Sequence, residues 1–241
     1  MKVEIWSDYV CPFCYLGKRR FEAALRQFEH RDSVEVVYRS FELDPHARRD
    51  GNPGVHEMLA AKYGMSREQA VANTDNLTRQ AKALGLEYHI ERAILTNTFD
   101  AHRLTHYAAT QGKRSEMTER LLKAHFTDSL HLGRVETLAD LAAEVGLDRA
   151  AALRALQEGR FADEVREDER EAARLGVRGV PFYVVNRKYA VSGAQPSEVF
   201  LRALRQAWED ERPPVVLGDA AEGAACTDDG CAVPGKAELA P

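Results

Sequence analysis

Four cysteines fall into two close pairs, Cys11 with Cys14 near one end of the chain and Cys226 with Cys231 near the other. In a reducing compartment, pairs so spaced serve reversible electron transfer or metal binding more often than a structural disulfide framework. Context favours electron transfer for the first pair. Residues 2–6 alternate polar and apolar side chains, with Val3 and Ile5 on one side, which is strand periodicity. Residues 12–28 carry Leu16, Arg20, Phe21, Ala24, Leu25 and Phe28 at mostly three- and four-residue steps, the stripe of an amphipathic helix, and Pro12 suits its first turn. Cys11 therefore falls at a helix start, where unsatisfied backbone N–H groups and the positive end of the helix dipole favour thiolate. Thiolate is the attacking species in disulfide exchange, and a cysteine three residues on can fold back to break the mixed disulfide. Cys11 is thus the expected nucleophile and Cys14 the resolving thiol, with zinc binding or plain burial as the competing uses.

The elements that must position this pair begin with a β-α-β unit, because Val34, Val36, Val37 and Tyr38 make residues 33–40 a second strand. Beyond Asp44-Pro45 and the turn-rich residues 50–54, the chain turns to Ala, Leu, Glu and Arg and stays helical for over a hundred residues. Helix starts are expected at Ser66, with Gln69 completing a capping box, at Thr137 and at Asp148. Glycines 64, 85, 112, 133, 146 and 159 mark expected helix ends. Residues 182–185 and 189–192 read as a hairpin about Asn186-Arg187-Lys188, followed by a helix over 196–208. Past Pro213-Pro214 the composition is Gly, Ala, Pro and acidic residues, with little to bury.

Two motifs carry a resemblance: Trp6-Ser7-Asp8-Tyr9-Val10-Cys11-Pro12-Phe13-Cys14, and Gly176-Val177-Arg178-Gly179-Val180-Pro181-Phe182. With Asn97-Thr98-Phe99-Asp100-Ala101-His102-Arg103 and Gly193-Ala194-Gln195-Pro196, they make residues 1–208 resemble the DsbA family, especially its FrnE-like cytoplasmic branch. The resemblance implies an α/β chain with a thioredoxin-like fold, a large all-helical insertion domain and an extended C-terminal tail. On that reading residues 1–45 and 170–210 form the two parts of the thioredoxin-like domain, 46–169 the insertion, and 211–241 the tail with the second cysteine pair. It also implies a cis Val180-Pro181 bond beside the cysteines, with Val180, Pro181, Pro12 and Phe13 forming a substrate groove where a peptide adds as a strand. Without the family, Pro181 is a proline ahead of a strand. Phe13 stands where the best-known members carry histidine, so Cys11 is expected to be less acidified and the pair less oxidising than a periplasmic oxidant at about -120 mV. Asp8, if near, pushes the same way.

Phe99 and His102, one helical turn apart, are candidates to face the cysteine cleft, with Asp100 and Arg103 pairing nearby; a plain interface helix is the alternative. Cys226 and Cys231 lie in an acidic, small-residue segment where a disulfide closes easily, and three uses stay open: exchange with Cys11/Cys14, a metal site with them, or an inert tail. Disulfide exchange needs no bound cofactor, since the cysteines hold both electrons; glutathione or thioredoxin is the expected electron partner, and protein or peptide thiols and disulfides the substrates. No metal is assigned. A net charge of -5 argues against nucleic acid, no apolar stretch is long enough for a membrane, and the opening residues lack an export leader, so the cytoplasm is expected. Competing functions are a glutathione-dependent isomerase or transferase of the kappa type, which typically presents serine in place of Cys11, and a redox-sensing or chaperone-like binding protein. Oligomeric state is not assigned.

Overall fold

The computed structural model describes residues 1–50 and 54–211, together with the backbone of two short strands at 225–227 and 230–232. The chain opens with β1 (Lys2–Ser7), α1 (Pro12–Gln27) and β2 (Glu35–Ser40), and a 3-10 turn at Arg31–Ser33 leads into β2. Among the described residues seven α-helices follow, with a 3-10 turn at Ile90–Arg92 between the second and third: α2 (Val55–Tyr63), α3 (Arg67–Ala83), α4 (Phe99–Ala109), α5 (Arg114–Phe126), α6 (Val135–Glu144), α7 (Arg149–Gln157) and α8 (Ala162–Arg174). The chain then returns as β3 (Phe182–Val185), β4 (Tyr189–Ser192) and α9 (Ser197–Glu209). The sheet order is β2-β1-β3-β4; β1 runs parallel to β2 and antiparallel to β3, which pairs antiparallel with β4. This is the β-α-β plus hairpin arrangement expected of a thioredoxin-like fold, with the helical insertion between β2 and β3.

Alternation along β1 sends its side chains to two different layers. Val3 and Ile5 are buried on one face; Tyr183 of β3, Phe21 of α1 and Phe200 of α9 pack edge to face or tilted, with ring centroids 4.6 to 5.8 Å apart. Trp6 belongs to the other face, where it packs with Ala172, Val177 and Val184 and its indole N–H donates to the Asp168 carbonyl at 2.9 Å. Glu4, also buried, pairs with Arg39 of β2 and Arg187 of the hairpin turn. A large apolar cluster lies among the inserted helices and takes in Tyr15 and Leu16 of α1, so the insertion is built onto the helix that carries the cysteines. Met1–Ala207 forms one compact unit.

Local signals set several helix boundaries. Ser66 and Gln69 form the capping box, and the Asp148 side chain accepts the Ala151 N–H. Gly64, Gly85, Gly112, Gly146 and Gly159 adopt positive φ at helix ends, where a side chain would be strained. Two expectations are corrected. α6 begins at Val135 with Arg134 as its cap, two residues before Thr137. Gly133 ends no helix: it sits in the loop before α6, where a Cβ would lie 2.2 Å from the Thr96 hydroxyl.

In the second unit, Trp208–Pro241, strands β5 (Ala225–Thr227) and β6 (Gly230–Ala232) pair antiparallel with Cys226 in register with Cys231. The side chains of Cys226 and Cys231 lie outside the described residues, and with them the three uses weighed above. Among the described residues no helix is long and apolar enough to cross a membrane.

Candidate active site

Cys11 is the N-cap of α1, in extended geometry, and no side chain caps the helix. Pro12 occupies the first turn and no acidic residue follows it there, so the positive end of the helix dipole lies at Cys11 with no anion of that turn competing for it. The Cys11 thiol donates to the Val180 carbonyl at 3.5 Å, across the cis Val180-Pro181 bond. Cys14 lies one turn deeper and its sulfur accepts the Asp8 backbone N–H at 3.4 Å. Both cysteines are free and buried, 4 % and 2 % exposed. Burial, and then the hydrogen bond and charge of Cys11, push the Cys14 thiol well above the ordinary thiol range. Cys14 therefore keeps its proton at neutral pH.

Three tethers hold the motif. Tyr88 donates its hydroxyl to the Pro12 carbonyl at 2.8 Å and stacks on Phe126 with centroids 4.7 Å apart. Gly17 of α1 lets the Pro181 segment close on the helix: a Cβ there would lie 2.6 Å from the Tyr183 hydroxyl and 3.0 Å from Pro181 Cγ. Asp8, fully buried, accepts the Tyr9 and Leu43 backbone N–H groups at 2.7 and 2.8 Å, with His102 Nε2 3.3 Å from its Oδ1. Its carboxylate is thus occupied by donors from the insertion and the loop after β2.

A cleft of about 580 Å³ opens beside Cys11. Val10, Pro12, Phe13 and Val180 line it on the motif side, and Met58, Leu59, Leu77 and His125 are among its walls on the insertion side. Phe13, 47 % exposed, stands at this cleft. The sequence candidates Cys11, Pro12, Phe13 and Val180 are therefore together, and Pro181 packs behind them against α1.

Phe99 and His102 do not join them. The Phe99 ring lies under the Arg166 guanidinium, 4.3 Å from centroid to carbon, between α4 and α8. His102 is buried behind the motif against Asp8 and the Tyr9 ring. One turn of helix separates the two, but the partners of α4 turn both from the cleft. Asp100 and Arg103 do pair, at 2.6 Å. His125, Gly17 and Tyr88 were not singled out from sequence. The available signal for His125 was weak: it falls on the apolar face of α5, four residues after buried Leu121.

Residues 2–205 match the model of the DSBA-like thioredoxin domain. The chain belongs to this family. A probable DsbA oxidoreductase from Streptomyces coelicolor is 52% identical, with a TM-score of 0.84 over 98% of this chain and all of the other. Two further structures share the fold at 16% identity. The cytosolic disulfide reductase DsbM from Pseudomonas aeruginosa, with GSH, has a TM-score of 0.61 over 87% of this chain and all of that one. A 2-hydroxychromene-2-carboxylate isomerase has a TM-score of 0.63 over 88% of this chain and all of the isomerase. The DsbA-like family is one of thiol–disulfide oxidoreductases.

Proposed function

We propose that this DsbA-like protein is a disulfide reductase or isomerase that attacks protein or peptide disulfides through Cys11 and resolves the mixed disulfide through Cys14. The observation that carries the reading is the division of labour between the two sulfurs. Cys11 sits at the uncapped helix start facing the cleft, and Cys14 is protonated beneath it. Cys11 sulfur attacks a substrate sulfur and one thiolate leaves. Cys14 then loses its proton, attacks Cys11, and releases the second thiol as the Cys11–Cys14 disulfide closes. When Cys11 ionises, its S–H no longer occupies the Val180 carbonyl, which is then free to accept an N–H from an extended substrate segment.

Reduction rather than net oxidation fits Phe13 in place of a cationic neighbour and a cytoplasmic setting, with glutathione or thioredoxin regenerating the dithiol. Cys226 and Cys231 form, in this proposal, a second pair that exchanges electrons with Cys11/Cys14. The retained Cys11, where serine is typical of the kappa type, supports redox chemistry over isomerisation of small aromatic substrates.

The test is insulin reduction with a dithiol reductant. The parent protein should turn over and Cys11→Ser should lose essentially all activity; equal rates would overturn the reading in favour of a sensor or binding protein. Unchanged turnover and potential in a Cys226→Ser/Cys231→Ser protein would remove the second pair from the cycle.

A further inference from the structure

We propose that the cleft beside Cys11 also takes low-molecular-weight disulfides with an apolar or aromatic body, and that His125 binds a polar group carried next to the sulfur. The inference rests on Cys11 being the nucleophile. With only 4 % of Cys11 exposed, a reacting sulfur must enter the cleft, because the thiolate cannot reach out to it. A thin molecule fits between the motif and the α2 and α3 side chains that line the cleft opposite it. The volume, about 580 Å³, is that of a small-molecule site. Met58, Leu59 and Leu77 offer an adaptable apolar wall, since thioether and aliphatic side chains accept rings of varied shape.

His125 supplies the polar contact. The residue lines the cleft and is 1 % exposed, and its buried Nδ1 has no hydrogen-bond partner among the described residues. A buried nitrogen left without a partner is costly, so such groups call for one. The imidazole is also held in place: neighbouring Phe126 stacks on Tyr88, which is bonded to Pro12, and the Phe126 carbonyl accepts the His89 N–H at 2.7 Å. Burial pushes the imidazole down to about 4, with Asp8 opposing, so it meets its ligand neutral and suits an amide or hydroxyl better than a second charge.

The reaction is two-electron and balanced. Cys11 thiolate breaks RS–SR and releases RS⁻, which takes a proton from solvent. Cys14, its proton lost, then attacks Cys11 and releases the second RS⁻, so the enzyme dithiol becomes a disulfide as RSSR becomes two RSH. In single turnover the reduced enzyme is itself the reductant.

Reduced enzyme is mixed with diphenyl disulfide, its ring-carboxamide derivative, or cystamine, and closure of Cys11–Cys14 is followed by rapid quench and mass spectrometry. Each rate is divided by that of N-acetylcysteine with the same disulfide. Both aromatic compounds should saturate and exceed cystamine at least tenfold, and Leu59→Glu should abolish saturation. His125→Phe should raise half-saturation about tenfold for the carboxamide alone, one hydrogen bond or about 1.4 kcal/mol, leaving diphenyl disulfide within twofold. His125→Asn, which keeps a hydrogen-bonding atom near the Nδ1 position, should restore carboxamide binding. Equal, unsaturable rates for all three compounds, with Cys11-dependent insulin reduction intact, would overturn the cleft proposal alone. Loss of insulin reduction in the parent as well would overturn the nucleophile assignment. An equal effect of His125→Phe on both aromatic compounds would remove His125 from recognition.

Discussion

Cys14 accepts the Asp8 N–H and is held protonated by burial, so in the proposed cycle its attack on the mixed disulfide is a separate step with its own proton loss. Removing that thiol should uncouple the two halves of the reaction. Cys14→Ser is expected to accumulate a covalent adduct between Cys11 and a substrate thiol, visible by mass spectrometry and released by reductant. Cys11→Ser should form none, and adducts of equal yield on both variants would contradict the assigned order. The position of the pair was legible in the sequence, because strand periodicity, Pro12 and the helical stripe place Cys11 at the N-cap by local rules alone. His125 was not legible: it reaches the same cleft from more than a hundred residues away, through the packing of α5 on Tyr88 and the motif.

At the scale of elements, α1 is the piece on which the site depends, and it is clamped from both sides. Toward the sheet, Gly17 admits Pro181 and the Tyr183 hydroxyl. Gly17→Ala gains about 1 kcal/mol of helix propensity, yet the methyl meets a rigid ring and a proline, and overpacking of this kind costs about 1–3 kcal/mol. A lower midpoint in urea and slower insulin reduction are expected together, because the Val180 carbonyl is displaced from Cys11; unchanged activity would show that Gly17 serves only packing. Toward the insertion, Lys18 and Arg19 pair with Glu119 of α5, and Tyr15 donates to it at 2.6 Å. Burial pushes the Glu119 carboxyl up, but Arg19 and Lys18 outweigh it and hold it at about 2. Glu119→Gln should lower Tm by a few degrees, for a loss of about 1–2 kcal/mol; Lys18 retains Glu22, so the loss is smaller than for a fully isolated buried charge. The same scale shows where sequence reading stopped. Ser66 and Asp148 announced their helices because a cap is local. For Phe99 the sequence left cleft and interface both open, because one-turn spacing puts residues on a shared face without naming what that face meets, and here Arg166 of α8 covers it.

The whole molecule joins sheet and insertion through buried titratable groups, and these make its stability depend on pH in two stages. His125 has an ordinary value near 6.5 and is pushed down to about 4 by burial. Between those values the unfolded chain binds a proton that the folded protein refuses, so stability falls as pH drops from 6.5 and levels off below 4. The displacement corresponds to about 3 kcal/mol. Asp168 joins α8 to β2 and α4 through Arg39, the Ser40 N–H and His106. Burial opposes its ionisation, but those partners prevail and its carboxyl is lowered, as is that of Glu119. A lowered carboxyl stabilises the fold above its unfolded value and loses that contribution as pH falls through the folded one, so a second decline begins below about pH 4. Glu42 works in the opposite sense: burial raises it despite Arg166, with Glu169 adding to the rise, so it gains its proton in the folded state above the ordinary carboxylate value and offsets part of the His125 slope there. Urea unfolding from pH 7.5 to 3 should therefore show a slope between 6.5 and 4 that His125→Phe removes, and a steeper loss below 4 that it leaves in place. If the upper slope persists in the variant, His125 is not the group refusing the proton, and the buried cleft wall beside Cys11 is more accessible to water than its 1 % exposure indicates.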